Sequence, residues 1–243
     1  MKPLFEQIVF DLDDTLLDTS GTLVPIAVRR ACLAMIDAGL PMTIDSALLR
    51  RTELLRLNPR IDTWTELAQA APEPIRARIA KAGSDAFYRY NVDELPASAF
   101  RPQEGALELL HFASQRSKLH LVSAGDEQTQ RKKIERLAIE KFFASIHLVA
   151  PGPGNKHRAF AEIDRKFRTS PEERFVSIGN RVDTDLGEAK TLGWSTIWIR
   201  AGEHVSLQPL TSQEIPDFEA GSPMVLLRLW EQQFPTTVKD PNV

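Results

Sequence analysis

Five short runs along the chain carry the apolar pattern of strands: QIVFDL at 7–12, KLHLVS at 118–123, SIHLVA at 145–150, RFVSIG at 174–179 and STIWIR at 195–200, each bounded by polar or turn residues. Between the later runs, segments such as GDEQTQRKKIERLAI and VDTDLGEAKTLG space their apolar residues as helices do. Strand–helix alternation of this kind predicts a parallel sheet covered by helices on both faces, an α/β fold. From about Thr19 to Phe100 the pattern changes. ACLAMIDAGL, SALLRRTELLRL and RARIAKAGSDAFYRY read as successive amphipathic helices with no convincing strand between them, an all-helical insertion. FRPQEGALELLHF marks the return, with Pro102 suited to an early helical position. After Arg200 the pattern is irregular through QPLTSQEIPDFEAGSP, until a last apolar helix, MVLLRLWEQQF. The expected organisation is a three-layer core from 1–18 and 100–235, a helical unit at 19–99 and a loose polar tail at 236–243.

A chain of 243 residues, 42% hydrophobic and 26% charged with a net charge of −3, has room for a sizeable core and the balance of an ordinary globular protein. That balance points away from nucleic acid. No run approaches the roughly 18 apolar residues of a membrane span, and Glu6 and the aspartates after it do not suit a signal peptide, so a cytoplasmic location is expected. Cys32, the sole cysteine, sits in an apolar helical pattern and reads as a buried thiol.

In an open parallel sheet the functional crevice lies beyond the carboxyl ends of the strands, so the residues that follow each apolar run converge there. Those residues are Asp11 and Asp13 after the first run, Ser123, Ala124 and Gly125 after the second, Lys156 beyond the third, and Asn180, Asp183 and Asp185 after the fourth. Two carboxylates at one strand end repel each other, which a divalent cation relieves, and oxygen-only ligands favour magnesium. Asp14 and Thr15 read as turn chemistry.

In these positions the chain resembles the haloacid dehalogenase-like hydrolase superfamily, in its helical-cap phosphatase form. DLDDTLL matches the first motif, LHLVSAG the second, Lys156 in GPGNKHRAF the third and SIGNRVDTDLGEA the fourth. The resemblance implies a Rossmann-like core with a helical cap and a magnesium-dependent phosphatase acting on a small phosphorylated metabolite. It implies Asp11 as nucleophile, Asp13 as general acid and base, Ser123, Ala124 and Lys156 as phosphate ligands, and Asp11, Asp13, Asn180 and Asp185 around magnesium. Two positions depart from the pattern. Asn180 stands where the family commonly has a metal-binding aspartate, leaving Asp183 as a candidate to shift in, and His157 stands where proline commonly follows the lysine. Asn180 with Asp183 also reproduces the fourth motif of 2-haloacid dehalogenases, whose first motif lacks the second aspartate. A dehalogenase and a catalytically weakened phosphate-binding module are therefore the alternatives.

Other features have plainer readings. QRKKIER at 130–136 reads as a solvated helix face, and His111, His120 and His147 lack metal-ligand spacing. Trp194 and Trp198 read as packing, whereas Trp64, Phe87, Tyr88 and Tyr90 could pack the insertion or touch a substrate. One of Arg50, Arg51, Arg56 and Arg60 could reach the leaving group, with hinges near Asp18–Thr22 and Pro96–Pro102.

Overall fold

A computed structural model describes residues 5–234 of the chain; the tail expected at 236–243 lies outside the described residues. The first apolar run becomes β1 (Gln7–Phe10), every residue buried. Four α-helices follow among the described residues: α1 (Thr19–Asp37), α2 (Ile44–Leu57), α3 (Thr63–Ala68) and α4 (Glu73–Tyr88). The chain then alternates through α5 (Ala106–Ser114), β2 (Lys118–Ala124), α6 (Glu127–Leu137), β3 (Phe143–Val149), α7 (Asn155–Phe167) and β4 (Phe175–Gly179). A π-helical turn at Val182–Gly187 runs into the short α8 (Glu188–Lys190), and β5 (Ser195–Ile199), β6 (Phe218–Ala220) and α9 (Pro223–Gln233) follow.

All five expected strands form. The sixth, β6, lies in the stretch expected to be irregular; its three residues are too few to show a period, and Phe218 and Glu219 are exposed. The return helix also differs from expectation. It begins at Ala106 with Gly105 (φ 77°) as its N-cap, while Pro102 lies outside it, in a bridge to Leu17.

The strand order is β3-β2-β1-β4-β5-β6, with every neighbouring pair parallel. Phe10 of β1 sits opposite Leu121 on one side and Ile178 on the other. Chain order reverses between β1 and β4, which opens a crevice beyond their carboxyl ends. Side chains of β1 alternate between two layers. Ile8 and Phe10 pack with Leu109 of α5, Ile134 of α6 and Trp230 of α9, whereas Val9 packs with Phe160 and Ile163 of α7 and Ala189 of α8.

Helices α1 to α4 have a core of their own, in which Cys32, Met35, Leu54, Trp64, Leu67 and Ile79 are buried together. Their starts are set locally: Asp18, Thr43 and Asp62 accept hydrogen bonds from the first free amides of α1, α2 and α3. By length and composition α1 could cross a membrane, but here Leu23 joins the sheet-side core and Ala31, Cys32 and Met35 the helical one. The two chain crossings between these bodies lie side by side. The Asp18 amide donates to the Arg101 carbonyl and the Gln103 amide to the Leu16 carbonyl, both at 2.9 Å, and the Arg101 guanidinium pairs with the Asp18 carboxylate.

Candidate active site

Asp11 follows β1 directly. Its amide donates to the Ile178 carbonyl at 2.9 Å, which extends the ladder by one residue and fixes the side chain at the switch point. Oδ1 of Asp11 accepts from Lys156 Nζ at 2.6 Å and Oδ2 from Thr15 Oγ1 at 3.2 Å. Lys156, in the first turn of α7, also donates to Asp185 Oδ1 at 2.5 Å. All three are almost fully buried, at 7%, 5% and 1% exposure for Asp11, Lys156 and Asp185. The close approach of Asp185 requires Gly179: a Cβ there would lie 2.3 Å from Asp185 Oδ2, an oxygen that also accepts the Arg181 amide at 2.9 Å.

One ammonium is thus shared by two carboxylates. Burial works against the Lys156 charge, but Asp11 and Asp185 overcome it and hold the lysine above its usual range. Burial pushes Asp11 above the usual carboxylate range; Asp185 and Asp13 add to that effect and Lys156 opposes it. At the start of α7 the amides of Gly154 and His157 donate to the Glu188 carboxylate at 2.8 and 2.5 Å. A proline at 157 has no N–H to give, so His157 provides an anchor for the lysine's helix that the commoner residue lacks.

Asp13 is gripped separately. Its Oδ1 accepts from Thr19 Oγ1 at 2.6 Å and Lys133 Nζ at 2.9 Å, and its Oδ2 from Gln130 Nε2 at 2.7 Å. The same Gln130 nitrogen reaches Ser123 Oγ at 2.6 Å. Burial alone would raise the Asp13 pKa; Lys133, Thr19 and Gln130 outweigh it and hold the carboxyl low. Asp14 does more than shape the turn. It takes a left-handed φ of 57°, and its buried carboxylate accepts from the Ser20 amide and hydroxyl at 2.7 and 2.6 Å. Burial raises its pKa to about 6 against those bonds, with Asp13 and Glu203 adding to the rise.

Over these groups lies a cleft of about 500 Å³. Asp11, Asp13, Ala124, Lys156 and Asn180 line it, while Leu23, Val24 and Ala27 of α1, with Phe87, Tyr88, Tyr90 and Arg60, form the insertion's side. Of the expected residues, Ser123 and Asp185 are set beneath its floor, at 0% and 1% exposure. The amide of Gly125 is committed to the Val149 carbonyl at 2.9 Å. Asp183 does not move in beside Asn180: it accepts from Arg181 at 3.0 and 2.6 Å and lies 3.5 Å from Arg60. Among the four arginines singled out in the insertion, Arg60 lines the cleft, bonded to Glu214 at 2.5 Å and to the Gln208 carbonyl at 2.9 Å. Arg51 is held bidentately by Glu203 at 2.7 and 3.0 Å. Gln130 and Lys133 correct the reading of QRKKIER as a solvated face. Gln130, Lys133, Ile134 and Leu137 are all buried, and their i, i+3, i+4, i+7 spacing was the signal that could have found them.

Among the described residues no three His, Cys, Asp or Glu side chains form a cation-binding group. Asp11, Asp13 and Asn180 line the cleft and carry oxygen donors of carboxylate and amide kind. Such a set suits magnesium, which takes one or two carboxylates and keeps several waters. Burial is the main cause of the upward push on Asp11, and the Asp185 and Asp13 charges add to it against Lys156, so a cation beside these oxygen donors fits the charges present.

The chain is 30% identical over 240 residues to the glyceraldehyde 3-phosphate phosphatase of Methanopyrus kandleri, an alignment covering 92% of this chain and 96% of that one. The chain belongs to the haloacid dehalogenase-like hydrolase superfamily. A second protein of the same name, from Pyrococcus furiosus, is 28% identical over 235 residues, covering 93% of each chain. Among solved structures, a haloacid dehalogenase-type hydrolase from Bacillus subtilis with magnesium bound superposes with a TM-score of 0.60 at 18% identity, covering 96% of this chain and 99% of that one. No family model matches the chain. In this haloacid dehalogenase-like hydrolase the segments carrying the four motifs meet at one crevice, Asp11 against Lys156 and Lys156 against Asp185.

Proposed function

We propose that the protein is a magnesium-dependent phosphatase of the cytoplasm that hydrolyses a small phosphorylated metabolite through an aspartyl-phosphate. The observation that carries the reading is the Asp11 carboxylate at the end of β1, 2.6 Å from the buried Lys156 ammonium and facing an open cleft beside an independently held Asp13. A phosphate monoester is a dianion, and carboxylates alone repel it; Lys156 and the groups that end β2 meet that charge. Asp11 attacks phosphorus and the bond to the leaving oxygen breaks; Asp13, which has to take up a proton before this step against the pull of Lys133, Thr19 and Gln130 toward its ionised form, gives that proton to the leaving oxygen. Asp13 then removes a proton from water as the water attacks the phosphorus of the acyl phosphate, freeing Asp11 and inorganic phosphate. Ala124 and Lys156, which line the cleft, hold phosphoryl oxygens, and the Ser123 hydroxyl joins them on turning away from Gln130 beneath the floor. Magnesium, when bound, is held by Asp11, the Asp13 carbonyl and Asn180 with Asp185 behind them, and supplies positive charge to the phosphoryl oxygens.

Helices α1 to α4 act as a cap that admits the substrate and excludes water during turnover. Glyceraldehyde 3-phosphate, named for the archaeal relatives, heads the list of substrates. The test is phosphate release from a panel of phosphorylated metabolites, with and without magnesium, by the wild type and Asp11→Asn. Magnesium-dependent release that disappears in the variant supports the reading; equal rates in the two proteins overturn it.

A further inference from the structure

Positive charge along the cleft is already spoken for. Six carboxylates line it against four lysine and arginine side chains, and each of those four meets a carboxylate. Lys156 is shared by Asp11 and Asp185, and Lys133 lies 2.9 Å from Asp13. Arg181 donates to Asp183 at 3.0 and 2.6 Å. Arg60 is held between Glu214 at 2.5 Å and Asp183 at 3.5 Å, and donates to the Gln208 carbonyl at 2.9 Å. The two guanidinium groups thus face two carboxylates and have no surplus charge. His204, which also lines the cleft, has its Nε2 3.2 Å from the Arg181 guanidinium, an approach that suits a neutral, accepting ring. Burial, with Arg181 adding to it, pushes the His204 pKa down to about 4. Negative charge is less well matched. Asp14 accepts from the Ser20 amide and hydroxyl, Glu188 accepts from the Gly154 and His157 amides, and neither forms an ion pair with a lysine or arginine among the described residues.

We propose that the cleft selects phosphate monoesters whose leaving group carries no charge of its own, such as a sugar or small hydroxyaldehyde, and that the pairing of Arg60 and Arg181 with Glu214 and Asp183 enforces the choice by offering no free cation to a carboxylate or a second phosphate. The proposal rests on the phosphatase reading, which gives Lys156 and the strand ends to the phosphoryl group and the rest of the cleft to the leaving group. An anion entering that space loses water, finds every cation engaged and is repelled by the carboxylates that remain. A neutral hydroxyl or carbonyl escapes both costs.

The test uses esters that differ only in an aldehyde against a carboxylate: glyceraldehyde 3-phosphate with 3-phosphoglycerate, and glucose 6-phosphate with 6-phosphogluconate. In the wild type, kcat/KM is expected to be about 10²-fold lower for the carboxylate of each pair, the scale of a like-charge encounter in a confined site. Two variants supply the missing charge by different routes. Glu214→Gln leaves two guanidinium groups facing the Asp183 carboxylate alone, and Val24→Lys sets an ammonium in the apolar wall of α1. Each is expected to narrow the ratio roughly tenfold by raising kcat/KM for the carboxylate. Both rates of a ratio come from one preparation, so a variant that folds only in part still reports it. A ratio moved by Val24→Lys but not by Glu214→Gln overturns the part given to the arginine pairs. Wild-type rates that are equal within the pairs, or ratios that neither variant moves, overturn the charge selection while the phosphatase reading stands. A wild type that releases phosphate from none of the four esters overturns both.

Discussion

The two walls of the cleft are built differently. On the sheet side, Asp11, Lys156 and Asp185 form a nearly dry ion cluster whose members are placed by strand ends and one helix start. On the insertion side, the wall is apolar and aromatic, and it is joined to the sheet body by Arg51–Glu203 and Arg60–Glu214, pairs whose side chains are 8% to 24% exposed. Charge that develops during phosphoryl transfer is best met by groups that do not reorganise, and a closed set of buried ions provides that. A wall proposed to part for a substrate is held by pairs with one partner in reach of water, Glu203 at 24% and Arg60 at 22% exposure. On the proposed function, the dry cluster is the rigid side of the site and the insertion the side that gives way.

The sharpest way to break that comparison is to remove the ammonium of the dry cluster. Lys156→Met leaves Asp11 and Asp185 facing each other, and its expected cost is roughly 3–5 kcal/mol in denaturant unfolding, together with near-complete loss of phosphate release. Stability and activity close to wild type would remove the distinction between the walls.

The sheet body also carries an acid-sensitive element, bonded to the start of β1 at the far end of the strand from Asp11. His120 is fully buried between Gln7 Oε1 and Ser145 Oγ at 2.9 and 2.8 Å, and burial pushes its pKa down from 6.5 to about 4. The unfolded chain binds that proton more readily than the folded one. Stability that is complete above pH 6.5 is therefore lost as pH falls toward 4, by about 3 kcal/mol at the lower end. Urea titrations at several pH values should show the loss in the wild type and a flatter profile in His120→Gln.

Smaller effects sharpen the contrast. Restoring a carboxylate with Asn180→Asp adds a charge beside the donors that face the cleft, and magnesium affinity measured by calorimetry should tighten on the order of tenfold once desolvation offsets much of the added attraction. Unchanged affinity would exclude position 180 from the metal's surroundings. Arg51→Ala removes a contact between the insertion and the sheet body. It should raise KM several-fold, equivalent to about 1 kcal/mol, with kcat nearly unchanged; a large fall in kcat would show that this pair supports the chemistry rather than the gate.

The sheet side was legible in the sequence because each of its groups follows a short apolar run, and the strand itself delivers the residue to the crevice. Asp11, Lys156 and Asn180 needed no knowledge of the rest of the fold. Lys133 was not legible in that way. A lysine in QRKKIER is inward or outward according to what faces its helix, and the carboxylate it meets lies 120 residues earlier in the chain. The pairings of Arg51 and Arg60 with Glu203 and Glu214 likewise depend on how the insertion sits against the loop after β5. Ser123, read as the residue closing the second run, is the penultimate residue of β2 and lies under the floor of the cleft, bonded to Gln130.

The laced crossings, where Asp18 meets Arg101 and Leu16 meets Gln103, have an evolutionary consequence. Because the chain departs from the sheet body and re-enters it through one stitched seam, the covalent path to everything between Thr19 and Phe100 passes through a single place. Such an attachment makes the helical body an exchangeable cassette: its contents can be rewritten for a new metabolite while Asp11 and Lys156 keep their places below the seam.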